Sequence, residues 1–229
     1  MTPARVIELW RFPVKSLVGE AVLSIDVNGR GFDGDREWSV KTEDGRLGSG
    51  KTGRRFTAVP GLLDVRAAIV EGRVLVTYPD GTQAFADDPA AEERLSVLVG
   101  RRVSFDLEGD EPHFDDGPVS LMGSASLAAL SAEQGTLVDR TRFRANVIVA
   151  TDEAFVEDTW VGRDIEVGAV RLHVDKMLPR CVMVNMSTAD LPEQPGNLTA
   201  LGRIHQACMG VVASVVGAGR MSVGDIITI

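Results

Sequence analysis

The chain has 229 residues and sets 24 Lys+Arg against 33 Asp+Glu, a net charge of −9. An acidic chain with only 5% aromatic residues lacks the basic face and the stacking surfaces that nucleic-acid binding needs, and no apolar run approaches the ~20 residues of a membrane span. Two cysteines make no disulfide framework, and the N-terminus lacks the basic-then-apolar order of a secretory signal, so a cytoplasmic, reducing setting is expected.

The dominant period along the chain is two. Val6, Glu8 and Trp10 alternate with Ile7 and Leu9, and 22–27, 38–41, 67–69 and 74–78 read as short strands. Between them stand Asn28-Gly29, Asp33-Gly34, Asp44-Gly45, Glu71-Gly72 and Asp80-Gly81, pairs that adopt positive φ cheaply and favour hairpins. Many short strands with frequent glycine turns predict a mainly β chain of barrel or sandwich type. Three helices interrupt it. Asp88-Pro89 caps the first, Ser124 or Ser126 the second and Asn197 the third, where Leu198, Leu201, Ile204 and Cys208 fall at helical spacing. That spacing assigns Cys208 to core packing.

The charge is unevenly spread. Residues 1–105 hold 15 basic and 15 acidic side chains, residues 106–229 hold 9 and 18, and six acids crowd between Asp106 and Asp116. Two units are expected, 1–105 and 106–229, joined through this acidic stretch.

Gly45 to Thr52 matches the phosphate-loop pattern G-x-x-x-x-G-K-[ST]. That loop works by opening a helix whose amides cradle phosphates, and here Gly53-Arg54-Arg55 and Pro60-Gly61 follow with no apolar helical stripe. A P-loop NTPase is therefore a distant alternative, and a basic loop offering Lys51, Arg54 and Arg55 to an anion is a middle one. Arg140, Arg142, Arg144 and Asn146 alternate with smaller or apolar residues, which on a strand would put three guanidiniums and an amide on one face. Either nearby acids or a bound anion could balance them. Pro179-Arg180-Cys181 leads into the apolar run Val182-Met183-Val184, so the thiol would enter a strand beside a cation that favours thiolate, unless it is an inert core residue. His113-Phe114-Asp115 offers two metal ligands and no third nearby in sequence. Serine-hydrolase and zinc-protease signatures are missing.

Taken in order, these motifs resemble a known family. Pro13-Val14-Lys15-Ser16 through Gly19-Glu20, and Gly34-Asp35-Arg36 with Trp38, resemble motifs of the MOSC N-terminal β-barrel domain. Arg142-Phe143-Arg144-Ala145-Asn146, Glu157-Asp158-Thr159-Trp160, Arg180-Cys181 and Val223-Gly224-Asp225 resemble those of the MOSC domain, with Ala145 in place of the usual proline. The resemblance implies two β-barrel-like domains that bind molybdenum cofactor (molybdopterin), similar to the amidoxime-reducing component family. It makes Cys181 the metal ligand, a soft thiolate suited to that role. It places Lys15, Ser16 and Arg36 on the cofactor from one domain and Ser126, Arg144 and Asn146 from the other, with Arg142 and Arg180 open between binding and structure. The implied function is an oxidoreductase acting on a small N-oxygenated substrate. Because nothing in the sequence resembles the iron–sulfur or sulfurase domains that some relatives carry, electrons are expected from a separate reductase. A cofactor carrier or sulfur-transfer module is the alternative.

Net charge is the wrong scale for a small buried anion. Lys15 and Arg36 of the neutral half are expected to face Arg144 and Asn146 of the acidic half across a cleft, with the acids of 106–116 forming a hinge-like connection outside it.

Overall fold

The computed structural model describes residues 4–229 and is mainly β with three α-helices. The turn signals act where the sequence places them. Val70 and Arg73 pair across Glu71-Gly72, whose φ values of 51° and 78° are those of a two-residue hairpin turn. Asn28 pairs with Gly31 across Gly29-Arg30. The first strand, Arg5–Arg11, departs from strict alternation: a bulge between Val6 and Glu8 buries Val6 and Leu9, three residues apart.

The largest sheet has eight strands in the order Ile227–Thr228, Asp164–Val167, Val170–Pro179, Cys208–Gly217, Val119–Gly123, Val147–Ala150, Arg5–Arg11 and Glu20–Val22. The N-terminal strand thus pairs with Val147–Ala150, and Ser24–Asn28 pairs with Gly219–Ser222. The stretch expected as one strand over 22–27 is two, which join different sheets on either side of the exposed Leu23. A four-stranded sheet (Val103–Leu107, Trp38–Thr42, Leu47–Ser49, Phe56–Ala58) and a three-stranded one (Gln83–Phe85, Arg73–Thr77, Arg66–Val70) enclose a second core around Val14, Val40, Val65 and Leu95.

Helix α1, Pro89–Val99, starts as its sequence dictates: Asp88 accepts from the Ala90 amide at 2.9 Å, Pro89 stands at the first position and Gly100 closes it in the left-handed region. Helices α2, Ser124–Gln134, and α3, Asn197–His205, pack together over a third core with Met122, Phe143, Ile148 and Met209. Their expected caps are displaced. Gly123 and Gly196 occupy the cap positions, and Ser124, Ser126 and Asn197 turn their polar atoms to Thr151, Glu157 and Val184 instead. Helix α3 also ends earlier than the apolar spacing implies. Gln206 and Ala207 both adopt positive φ and reverse the chain, so Cys208 opens a strand rather than lying on the helix.

Candidate functional site

Two ends of long segments build the site. Strand Val170–Pro179 stops at its proline, Cys181 follows in extended conformation, and Val182–Asn185 turns away as a single 3₁₀ turn. Cys181 therefore leaves a strand rather than entering one, and its half-buried thiol faces a cleft. Opposite, the segment after Arg5–Arg11 brings Lys15 and Ser16, and the turn at Gly34 brings Arg36.

The cleft has a cavity volume of about 140 Å³ and opens to solvent at its mouth. Its walls hold Cys181, Lys15, Ser16, Arg36, Arg144 and Asn146, together with Lys51, Arg142, Arg180, Asp115, Asp116, Ser120 and Met183. Six cations thus face two carboxylates in a chain whose net charge is −9. The acids of the connecting stretch are not all outside, which corrects the expectation of an external hinge. Asp115 reaches in and pairs with both Lys15 and Lys51, and Asp116 pairs with Lys176 at 2.8 Å.

The alternating arginines do not form a strand face. Asp139 accepts from the Thr141 amide at 2.8 Å, which starts a 3₁₀ turn over Arg140–Phe143 and sends the three guanidiniums apart. Arg140 pairs with Glu8 at 2.5 Å. Arg142 donates to the carbonyls of Met186 and Pro192 at 2.8 and 2.6 Å, so it holds the segment after Cys181 in place. Arg144 lines the cleft, with Nη1 on Leu17 O at 2.7 Å and Nη2 buried without a hydrogen-bond partner. An Asp-x-Thr at 139–141 is the sequence signal for this turn.

Ser16, Arg36 and Arg144 have φ values of 69°, 55° and 51°, three of the seven non-glycine residues with positive φ among the described residues. Such backbone costs free energy and persists where the surroundings over-determine it, often at functional sites. Phe12 lies between two of these residues, with the guanidiniums of Arg36 and Arg144 at 4.8 and 4.4 Å from its ring centroid. Arg36 also pairs with the buried Asp35 and donates to Arg144 O at 3.1 Å. Asn146 accepts from Ser120 Oγ at 2.9 Å and donates to Trp10 O at 3.3 Å. Ser16 Oγ donates to Gly48 O at 3.1 Å. Arg180 is spent on structure, with two contacts to Met209 O at 2.9 and 2.5 Å and one to Phe143 O at 2.9 Å.

Burial dominates the electrostatics. It pushes Lys15 down to about 8 against the opposing pull of Asp115, and it lowers Arg144 and Arg180. Asp115 is held well below the usual carboxylate range by Lys15 and Lys51, which outweigh its burial.

Ser126 does not reach the cleft. Fully buried in α2, it donates to Glu157 at 2.8 Å and accepts from the Phe155 amide at 2.7 Å. His113 spends its ring nitrogens on Arg36 O and Ser39 Oγ, both at 3.2 Å. The phosphate-loop letters fall on a hairpin: Leu47–Ser49 pairs with Trp38–Thr42 and runs parallel to Phe56–Ala58, with no helix after Thr52. That topology removes the NTPase alternative. Lys51 of this loop nevertheless lines the cleft, while Arg54 stands exposed and Arg55 donates to Phe114 O and Pro112 O.

Comparison with known proteins adds family and fold. Residues 101–228 match the model of the MOSC domain, and residues 3–110 match that of the MOSC N-terminal beta barrel domain. Mitochondrial amidoxime reducing component 2 from Bos taurus is 26% identical over 223 residues, covering 79% of this chain and 66% of that protein. The protein of the same name from Rattus norvegicus is 26% identical over 225 residues with the same coverage. The chain thus spans about two thirds of the length of these relatives. The crystal structure of the YUAD protein from Bacillus subtilis superposes with a TM-score of 0.53 at 16% identity, covering 99% of this chain and 94% of that one. No helix among the described residues is long and apolar enough to cross a membrane.

Proposed function

Because the chain belongs to the MOSC family, with an N-terminal MOSC barrel domain before the MOSC domain, we propose that it binds molybdenum cofactor in this cleft and reduces N-hydroxylated small molecules. The supporting observation is the convergence of a half-buried thiol, Cys181, with Lys15, Ser16, Arg36, Arg144 and Asn146 from both halves of the chain. The donor set fits the group. A soft thiolate suits molybdenum, and buried cations suit the phosphate and anionic sulfurs of the pterin. The buried, unpartnered Nη2 of Arg144 is a donor that such a ligand would satisfy.

When bound, the cofactor would supply two-electron redox chemistry. The chain's own residues do the rest. Cys181 would hold the metal from the end of a long strand, where Arg180 and Arg142 pin the surrounding backbone through five carbonyl contacts. Lys15, Arg36 and Arg144 orient the anionic end, and the two arginines keep their places by packing on Phe12. Asn146 with Ser120 offers a neutral polar edge. A substrate entering through the cleft mouth would take up two electrons from a separate reductase and two protons from solvent, breaking its N–O bond so that the oxygen leaves as water. The names of the two mammalian relatives support the substrate class.

Molybdenum and pterin content of the purified protein, followed by turnover of benzamidoxime or a hydroxylamine with a panel of electron donors, tests the proposal. Bound metal with turnover is expected. Bound cofactor with no turnover for any donor would overturn the reductase assignment and leave a cofactor carrier.

A further inference from the structure

Lys51 matches no motif of the family, yet it stands in the cleft. It sits on the glycine-rich loop after Leu47–Ser49, and that loop is closely packed: a Cβ on Gly50 would come within 2.9 Å of Met186 Sδ. Lys51 Nζ donates to Asp115 Oδ2 at 2.9 Å, while Asp115 Oδ1 takes Lys15 Nζ. Both ammonium groups lie against the ring of Phe56, at 4.7 and 5.0 Å from its centroid. One carboxylate thus bridges two lysines on one aromatic platform. It comes from the irregular stretch after Val103–Leu107 and is one-third exposed, whereas the Lys15 side chain is buried. Beside this bridge, Arg144 keeps a buried donor without a partner.

We propose that Asp115 is an internal counter-ion that an incoming phosphate group displaces, and that Lys51 joins Lys15 and Arg144 in the oxyanion site this opens. A phosphate monoester carries about −1.5 to −2 charges and three acceptor oxygens at neutral pH. A carboxylate carries one charge and two such oxygens. The exchange therefore satisfies the two lysines and the spare guanidinium donor together. Asp115 keeps the buried Lys15 and the half-buried Lys51 from facing each other unpaired when the phosphate is absent. The bearer of the phosphate is either the pterin cofactor, which rests on the proposed function, or free phosphate, which does not.

Calorimetric titration of cofactor-free full-length protein with inorganic phosphate tests the exchange. Asp115→Asn, nearly isosteric, is expected to bind phosphate about tenfold more tightly, and Lys51→Gln about tenfold more weakly. The double variant should return close to the wild-type affinity, and phosphate should raise the melting temperature of Asp115→Asn more than that of wild type. Unchanged or weaker binding by folded Asp115→Asn, or unchanged binding by Lys51→Gln, would overturn it. Cofactor content measured in the same variants separates the two bearers: parallel changes support the pterin phosphate, and unchanged content with altered phosphate affinity supports free phosphate. Loss of metal in Cys181→Ser has no bearing on the phosphate titration, so the two proposals fail separately.

Discussion

Cys181 and Cys208 are neighbours in structure and alike in burial. Pro179 and Cys208 are register partners between adjacent strands, Arg180 N donates to Ala207 O at 2.8 Å, and both thiols are free and half-buried. Their surroundings differ. Cys181 opens on a cleft where Lys51, Arg180 and Met183 stand and six cations face two acids. Cys208 faces Gln206 O at 3.7 Å, and burial, with Asp158 nearby, pushes its thiol up. Asp158 in turn pairs with His205 at 2.7 Å. Burial alone therefore does not separate the two cysteines; local charge and free volume do.

The largest effect should come from the proposed ligand. Cys181→Ser is expected to lose at least about tenfold in molybdenum content, since a hydroxyl is a poor substitute for a soft thiolate, while Cys208→Ser keeps wild-type content by elemental analysis. Equal metal in both variants would erase the distinction. Next comes Arg180, whose guanidinium is electrostatically coupled to both thiols and occupies the carbonyls of Met209 and Phe143. Arg180→Leu leaves those buried acceptors unsatisfied and should cost about 3 kcal/mol in urea unfolding. A cost below about 1 kcal/mol would mean that Arg180 serves the ligand rather than the fold.

A third test concerns the cationic environment on the Cys181 side. Lys15 titrates near 8 in the folded protein, against an ordinary value of 10.5. Between these values the unfolded chain binds the additional proton, so stability rises with pH through this window and the gain is lost as pH falls through 8. The unfolding free energy of wild type relative to Lys15→Met should rise on the order of 2 kcal/mol from pH 8 to 10.5. A flat difference would show that Asp115 fully offsets the burial of Lys15.

The sequence shows these features to different degrees, for physical reasons. Hairpins and the α1 cap are local, and Asp-Gly, Glu-Gly and Asp88-Pro89 specify them without reference to the rest of the chain. The motif residues Lys15, Ser16, Arg36, Arg144, Asn146 and Cys181 are found through resemblance, and the fold brings all six into one cleft. Alternation misleads at 140–146 because a 3₁₀ turn opened by Asp139 can carry the same letters as a strand. Ser126 misleads because a serine near a helix start is as useful to a buried Glu157 as to a ligand. Asp115 and Lys51 are invisible as a pair: they lie 64 residues apart, and only the packing of the connecting stretch over the four-stranded sheet joins them.

The smallest effect compares the two thiols directly. Alkylation by iodoacetamide proceeds through the thiolate, and burial disfavours that form at Cys208. At pH 7.5 Cys181 in cofactor-free protein should react roughly fivefold faster than Cys208, read by peptide mass spectrometry. The Cys208 rate should itself climb with pH, because burial defers its thiolate to higher pH. A Cys208 rate equal to that of Cys181 at pH 7.5 would place both thiols in the same chemical setting. Cofactor loading supplies the complementary control: a thiol engaged by metal is protected, so loading should slow Cys181 alone and leave the Cys208 rate unchanged.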